Sequence, residues 1–326
     1  MINRRTLLGA GLGGCALALP APRLRAQESW PNKPVRIVVG FAAGGATDIS
    51  TRVMQPKLTA LLGQPVVIEN RPGAGGNLAT EIVVHAPSDG STFLMGTIGA
   101  LAINPTLYGN LPFDPQADLV PVGMAGNVLN VLVVPADRPW RSVPELIAAA
   151  RAQPETITYG SSGVGGAGHL AGALLDQMAG VKTVHVPYRG GGPMMNDLIG
   201  GKVDYAFSTA PTALPQVHSG RLRMLAVPTA QRLRALPDTP TVAETLPGYE
   251  VQNWYALVGP KGLSPAIVAR MNAAVRETLS DPAVAAALEG HGVEPLPSSP
   301  EDLARFIRVE TGKWAPIVRA TGAKVE

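Results

Sequence analysis

The chain has little cysteine and few aromatic residues. Its 326 residues include one cysteine, Cys15, and aromatic residues make up 5% of the sequence. One cysteine cannot form a disulfide within the chain, so the fold depends on its apolar core. The sequence also lacks a Cys/His cluster with zinc-ligand spacing and the motifs H-E-x-x-H and G-x-S-x-G. These absences argue against a zinc enzyme and against a serine hydrolase.

An excess of charge of one sign is also missing once the N-terminus is set aside. The whole chain has 27 basic and 24 acidic residues, and residues 1–26 contain no acidic residue and four basic ones, Arg4, Arg5, Arg23 and Arg25. The remainder therefore has 23 basic against 24 acidic side chains, a balance of −1. Because no run of Lys and Arg stands out, we expect no nucleic-acid or anionic-membrane partner.

Residues 1–26 have the features of a secretory signal peptide, with paired arginines, a short apolar run and a small residue at the expected cleavage site, Ala26. The apolar run, residues 6–19, is shorter than the roughly 20 residues that span a bilayer. A twin-arginine signal and a general secretory signal both fit this segment. Cleavage before Cys15, as in a lipoprotein, is an alternative. Each of these routes predicts an exported protein.

The rest of the chain has two halves with one plan. The first half contains the apolar stretch "VRIVVG", the Gly-rich turn "FAAGGATD", a helical stretch and the second apolar stretch "PVVIEN". After Thr156 the same order returns as "ITYGSS", "GVGGAGH", "LAGALLDQMAG" and "TVHVPY". Strands that alternate with helices predict an α/β fold. We expect two lobes, each a mostly parallel sheet flanked by helices.

Two long apolar stretches predict strands that cross between the lobes. They are "LVPVGMAGNVLNVLVVPAD" and "YEVQNWYALVGPKG". We therefore assign residues 27–126 to the first part of domain 1, 127–247 to domain 2, and 248–326 to the return strand and C-terminal helices of domain 1. A chain that leaves one lobe and returns to it favours hinge closure over a cleft.

The Gly-rich loop "ITYGSSGVGGAGHL" has the spacing G-x-G-x-x-G at Gly163, Gly165 and Gly168. It follows a predicted strand and precedes a helix, as in dinucleotide-binding proteins, but the acidic residue expected at the end of the next strand is absent from "TVHVPY". This absence argues against a dinucleotide site. A glycine loop at a helix N-terminus also presents backbone N–H donors to any anion, phosphate or carboxylate.

Two side chains near these loops each allow two interpretations. His169 lies in the first turn of a predicted helix, where it either packs as a polar residue or contacts a ligand. In an exported enzyme that acts on a small carboxylate, His169 would be the base. Asp48 either orients the first helix from inside or contacts the ligand directly. The first role is favoured, because a carboxylate facing an anion would repel it.

Five segments, in order from Trp30 to the C-terminus, resemble the substrate-binding receptors of tripartite tricarboxylate transporters, the Bug-type periplasmic proteins. The segments are "WPNKPVRIVVGFAAGGATDISTRV", "VIENRPGAGGNLATEIVVHAPSDGSTFLMG", "ITYGSSGVGGAGHLAGALL", "VHVPYRGGGPMMNDLIGGKVDYAFS" and "ALPDTPTVAETLPGYEVQNWYALVGPKGLSPAIV". A single glycine motif is weakly specific, but five in sequence are strongly so.

The resemblance implies a two-domain periplasmic-binding-protein fold, type II-like, that closes on one small organic anion: a di- or tricarboxylate, an amino acid or an aromatic acid. It implies a monomer in the periplasm that delivers its ligand to the membrane subunits of a tripartite transporter. It also implies that the protein has no catalytic residues, no cofactor and no metal. A receptor that serves signalling without transport is an alternative that the sequence leaves open.

The resemblance also implies which residues bind the ligand. Arg189 stands where lysine is more usual in the family, and it would either grip a second carboxylate or lie at the rim as a surface charge. The full implied set comprises the two glycine loops and the segments around them: Phe41, Ala43, Gly44, Gly45, Asp48, Thr97, Ala100, Asn104, Ser161, Ser162, Gly163, Gly165, Gly166, His169, Tyr188, Arg189 and Gly190.

Overall fold

A computed structural model describes residues 30–233 and 236–321. The predicted signal peptide and Cys15 therefore lie outside the described residues. The strands are β1 (Val35–Val39), β2 (Val66–Asn70), β3 (Thr92–Thr97), β4 (Leu119–Val128), β5 (Asn130–Pro135), β6 (Thr158–Ser161), β7 (Val184–Pro187), β8 (Tyr205–Thr209), β9 (Leu222–Ala226), β10 (Trp254–Pro260) and β11 (Val293–Pro295).

Helices connect most of these strands. They are α1 (Ala46–Leu62), α2 (Asn77–Val84), α3 (Asn104–Leu107), α4 (Pro115–Asp118), α5 (Val143–Ala152), α6 (Ala167–Ala179), α7 (Gly191–Ile199), α8 (Ala210–His218), α9 (Pro265–Ser280), α10 (Pro282–Gly290) and α11 (Pro300–Thr321), with shorter helical turns at Ala74–Gly76, Gly99–Ile103 and Val242–Glu244. None of the helices in the described ranges is long and apolar enough to cross a membrane.

The strands form two sheets, which confirms the predicted two-lobed α/β fold. The first sheet has the order β2-β1-β3-β10-β4-β11 and the second the order β7-β6-β8-β5-β9. We call the part of the chain that carries the first sheet (residues 30–128 and 254–321) the first lobe. The part that carries the second sheet (129–233 and 236–253) is the second lobe.

Each sheet is mixed rather than mostly parallel. β1 is parallel to β2 and β3, and β6 is parallel to β7 and β8, as helix-connected strands are. The difference from the prediction comes from two strands that arrive from the other lobe and from the edge strand β11, which is antiparallel to β4. β10 is inserted antiparallel between β3 and β4, and β5 is inserted antiparallel between β8 and β9.

The two crossings between the lobes lie side by side. Leu129 alone separates β4 from β5, and the return crossing leads through Asn253 into β10. The Val128 N–H donates to the Asn253 carbonyl oxygen across 2.9 Å. The predicted domain boundary between residues 126 and 127 falls within β4, so the sheet change comes two residues later. The domain assignment itself stays a prediction.

Helix α11 packs against both lobes. Its buried residues Leu303, Ile307, Trp314 and Val318 follow helical spacing and form one apolar face. This face contacts β4 and the turn at Gly99–Ile103 in the first lobe and α6 in the second. The last helix of the described chain therefore covers apolar surface from both halves.

A buried carboxylate attaches α11 to the return strand. Glu310 is 4% exposed, and its Oε2 accepts hydrogen bonds from the indole Nε1 of Trp254 at 3.1 Å and of Trp314 at 3.2 Å. Both indoles are fully buried. A buried N–H that loses its acceptor costs roughly 1–3 kcal/mol, so Glu310 stabilises this junction.

We predict that Glu310→Ala lowers the free energy of unfolding by about 3 kcal/mol, because it leaves two buried indole N–H groups without an acceptor. Glu310→Gln, which keeps an acceptor oxygen, should lose less. Urea unfolding followed by tryptophan fluorescence measures both. The control is Glu289→Ala on an exposed position of α10, expected within about 0.5 kcal/mol of wild type. Equal losses at positions 289 and 310 would contradict the assignment.

Candidate functional site

A cavity of about 40 Å³ lies between the lobes at the carboxyl ends of the helix-connected strands. In the first lobe it is bounded by the segments that follow β1 and β3, and in the second by those that follow β6, β7 and β8. Its lining residues are Phe41, Gly45, Ala46, Thr47, Thr97, Ile98, Gly99, Asn130, Ser162, Gly166, Ala167, Gly168, Gly191, Met194, Phe207, Ser208, Thr209, Asn253 and Tyr255.

Four helices begin at this cavity. Helix α1 begins after Gly45, α6 after Gly166, α7 at Gly191 and α8 after Thr209, and each of these residues lines the cavity. The first N–H groups of a helix have no intrahelical acceptor, and the N-terminus carries about half a positive charge. The cavity is therefore surrounded by the positive ends of four helix dipoles, and α1, α6 and α7 present N–H donors to it. In α8 the Ala210 N–H already donates to the Leu129 carbonyl oxygen, and Pro211 has no N–H.

None of the lining residues, all within the described ranges, carries a charged side chain. The polar groups are hydroxyls of Ser, Thr and Tyr and the carboxamides of Asn130 and Asn253. The glycines at the N-caps, Gly45 and Gly166, provide no side-chain acceptor for the first N–H groups of α1 and α6. Such a site attracts an anion through backbone dipoles rather than through an ion pair.

The first-lobe loop is held from behind by Asp48. Its carboxylate accepts hydrogen bonds from the Gly44 N–H and from Arg52 Nε, each at 2.9 Å. Burial alone would raise the pKa of Asp48, but hydrogen bonds from Arg52, Gly44 and Asn70 hold it below its usual value. Asp48 is 3% exposed and does not line the cavity, an arrangement that matches the predicted orienting role.

The second-lobe loop is held by two histidines. His169 Nδ1 accepts a hydrogen bond from the Gly165 N–H at 3.1 Å, and its ring stacks on His185 with centroids 4.1 Å apart. His185 Nε2 lies 2.7 Å from Ser161 Oγ, which in turn accepts a hydrogen bond from the Gly163 N–H. These contacts shape the loop that also contains Ser162 and Gly166, two residues that line the cavity.

Burial keeps both histidines neutral. It lowers the pKa of His169 to about 4 and, together with the repulsion that His185 would meet from a protonated His169, the pKa of His185 to about 3. His169 does not line the cavity, and one of its ring nitrogens is occupied by Gly165. This geometry fits the structural interpretation of His169 better than that of a catalytic base.

The predicted site residues occupy three kinds of position. Those that line the cavity are Phe41, Gly45, Thr97, Ser162 and Gly166. Those that support the loops from behind are Asp48, Ser161, Gly163, Gly165 and His169. The others lie beside the cavity without lining it: Ala43, Gly44, Ala100, Asn104, Tyr188, Arg189 and Gly190. Ligand contact by any of the 17 stays a prediction.

The residues at the end of β7 lie where the two lobes meet. Tyr188 donates its hydroxyl to Asp197 at 2.9 Å, and burial, together with that carboxylate, raises the pKa of Tyr188 to about 12. The Arg189 carbonyl accepts a hydrogen bond from the Ala42 N–H of the first lobe at 3.1 Å, while the Arg189 side chain is exposed. This position agrees with the alternative in which Arg189 lies at the rim of the site as a surface charge.

A second contact between the lobes is made by glycines. A Cβ atom at Gly75 would overlap the Val164 carbonyl oxygen, and one at Gly165 would overlap Asn104 Oδ1. A Cβ atom at Gly99 would lie 2.9 Å from the Gly165 carbonyl oxygen, closer than real contacts allow. The lobes thus touch backbone to backbone beside the cavity, and the described arrangement is closed.

Several lining residues were not predicted from the sequence. Asn130 and Asn253 belong to the crossings between the lobes, and Ser208 and Thr209 end β8. None of them belongs to a glycine loop, and the glycine loops are the sequence feature that predicts the site. The strand "KVDYAFS" was predicted, so its carboxyl end could have drawn attention to Ser208. Among the described residues, no group of His, Cys, Asp or Glu could hold a metal ion.

We predict that the buried His169 and the partly buried His185 make stability depend on pH. In the unfolded chain their pKa is about 6.5, so the unfolded state binds more protons below that pH, and the free energy of unfolding falls as the pH falls. Between pH 6.5 and 5 the loss is about 2 kcal/mol per histidine. His185→Gln should reduce the stability difference between these pH values by about that amount in urea unfolding. His218→Gln, on the surface, should leave it unchanged; equal slopes in all three proteins would refute the prediction.

Known proteins are similar to this chain in sequence and in fold. The model of the tripartite tricarboxylate transporter family receptor matches residues 50–323. The chain is similar to protein BugT of Bordetella pertussis, with 34% identity over 328 residues that cover 100% of this chain and 99% of BugT.

Two solved structures are similar over most of their length. The first, R. palustris Rpa4515 with adipate, has a TM-score of 0.88 and 37% identity and covers 91% of this chain and 100% of its own. The second, MatC (Rpa3494) from Rhodopseudomonas palustris with bound malate, has a TM-score of 0.85 and 31% identity. It covers 89% of this chain and 100% of the MatC chain. Fold, cavity and sequence together show that this chain belongs to the tripartite tricarboxylate transporter receptors, the Bug-type periplasmic solute-binding proteins, and is a receptor rather than an enzyme.

Proposed function

We propose that this protein binds a small organic carboxylate in the cavity between its lobes, closes around it by a hinge motion, and delivers it to the membrane subunits of a tripartite tricarboxylate transporter. The observation that carries the proposal is the meeting of four helix N-termini at a cavity without charged side chains. An anion is the ligand that such an arrangement stabilises. A cation or an uncharged apolar ligand would gain nothing from it.

The similar proteins support a carboxylate as the anion. Rpa4515 was solved with adipate and MatC with malate, and both ligands are dicarboxylates. We further propose that the protein acts as a monomer in the periplasm and that residues 1–26 direct its export.

The first experiment is ligand-dependent melting of refolded protein. Unfolding and refolding remove any ligand carried through purification, and the panel contains succinate, malate, adipate, glutamate, benzoate and NAD. A site filled at 100 times its Kd adds about 2.7 kcal/mol, which should raise Tm by several degrees. A shift with one or more carboxylates and none with NAD is expected. A shift with NAD alone, or with nothing in the panel, would count against a carboxylate receptor.

We predict that Gly165→Ala weakens carboxylate binding at least about 10-fold, because a Cβ atom there overlaps Asn104 Oδ1 of the other lobe and opposes closure. The matched control is Gly180→Ala at the C-terminal end of α6. Gly165 and Gly180 both have positive φ, +81° and +63°, but nothing lies within 4 Å of a Cβ atom at Gly180. Both variants therefore carry backbone strain, and only the first should lose affinity in calorimetric titration with the acid that gives the largest melting shift. Equal affinities would show that closure does not need this contact.

A further inference from the structure

Two asparagine side chains join the two chain crossings at the cavity. Asn130 begins β5, two residues after β4 ends at Val128, and Asn253 directly precedes β10. Asn253 Nδ2 donates a hydrogen bond to Asn130 Oδ1 across 3.2 Å. Because the lobes are joined at these crossings, any change in the angle between them must be absorbed here. The asparagine pair, Asn130 and Asn253, therefore lies at the hinge and at the cavity wall together.

The side-chain nitrogen of Asn130, Nδ2, takes no part in the bond with Asn253. In the structure Asn130 Oδ1 accepts the bond from Asn253, so the other end of the Asn130 carboxamide is the N–H donor. Asn130 is 3% exposed and lines the cavity, and its Nδ2 has no hydrogen-bond partner in the described part of the chain. A buried donor without an acceptor is costly, so the closed arrangement is favoured when an oxygen accepts from it.

The place of Asn130 indicates which part of a ligand it meets. Asn130 pairs with Thr209 and Val131 with Ser208 in the ladder between β5 and β8, so Asn130 lies beside the start of α8. The N–H groups at the starts of α1, α6 and α7 can fill the acceptor sites of one carboxylate, which has about four. A further donor beside α8 is then available to a second oxygen-bearing group.

Resting on the proposed function, we infer that Asn130 is a specificity-determining residue whose Nδ2 donates to a second oxygen of the ligand, in a hydroxyl, a carbonyl or a second carboxylate. The donor selects acids with such a group over simple alkyl monocarboxylates. Through Asn253 the same side chain connects the two crossings. Occupation of the donor therefore favours the hinge angle of the closed protein.

The test compares Asn130→Asp with wild type on matched pairs of acids. Aspartate keeps the oxygen that accepts from Asn253, replaces the free N–H donor with a second oxygen and adds a negative charge. Succinate with butyrate, and adipate with hexanoate, differ within each pair by one carboxylate. In calorimetric titration, wild type should bind the diacid of at least one pair more tightly than its monoacid. In the variant this preference should fall at least about 10-fold. Asn130→Ser removes the carboxamide without adding charge, and it should lose the preference as well. A loss in the aspartate variant alone would come from charge repulsion and would overturn the inference.

The control is Thr278→Val on α9. Thr278 is also buried, and its hydroxyl also has no partner among the described residues, but it does not line the cavity. The Thr278→Val variant should keep the wild-type preference for the diacid over the monoacid. If a variant at position 130 loses affinity for both acids of a pair equally, its defect is only structural. If it keeps the preference for the diacid, Asn130 does not determine specificity. Either result overturns the inference and leaves the carboxylate receptor standing. Wild type that binds the two acids of each pair equally also overturns the inference. Wild type that binds no acid of either pair and no carboxylate of the melting panel contradicts the proposed function itself.

Discussion

The proposed anion site stabilises negative charge through helix N-termini, without a cationic side chain. Helix N-termini act over one turn, so each helix must begin within a few ångströms of the charge. This requirement fixes the rest: strands β1, β6, β7 and β8 must end at the cleft, and the residues that follow them must be small. Gly45 and Gly166 meet the second condition as N-caps without a side chain. A larger N-cap residue would place its own atoms between the donors and the anion.

Glycine also sets how closely the lobes can approach. Gly75 and Gly99 of the first lobe face the loop of Gly163 and Gly165 in the second, and at three of the four a Cβ atom would collide with the opposite lobe. The third glycine of the G-x-G-x-x-G spacing, Gly168, has another reason. A Cβ atom there would lie 2.5 Å from the Phe207 carbonyl oxygen, so α6 packs directly on β8. The spacing of a nucleotide-binding loop thus arises here from contact between lobes and between helix and strand.

The sequence predicts the fold well where the signal is local. Apolar runs followed by glycine loops and helices mark the two lobes, and Phe41, Gly45, Thr97, Ser162 and Gly166 in or near those loops do line the cavity. The mixed strand directions could not be predicted in this way, because β10 and β5 are placed by pairing with strands distant in sequence. Asn130 and Asn253 were missed for the same reason. They meet across 123 positions of the chain, and neither stands in a motif.

The position of β10 has a consequence for the order in which the chain can fold. β10 lies in the middle of the first sheet, yet residues 129–253 must be synthesised before it. Until Trp254–Pro260 is available, β3 and β4 have no strand between them, and α11, which covers both lobes, is later still. Contacts so distant in sequence form slowly. A nascent chain of this design therefore stays incomplete until β10 and α11 have been made.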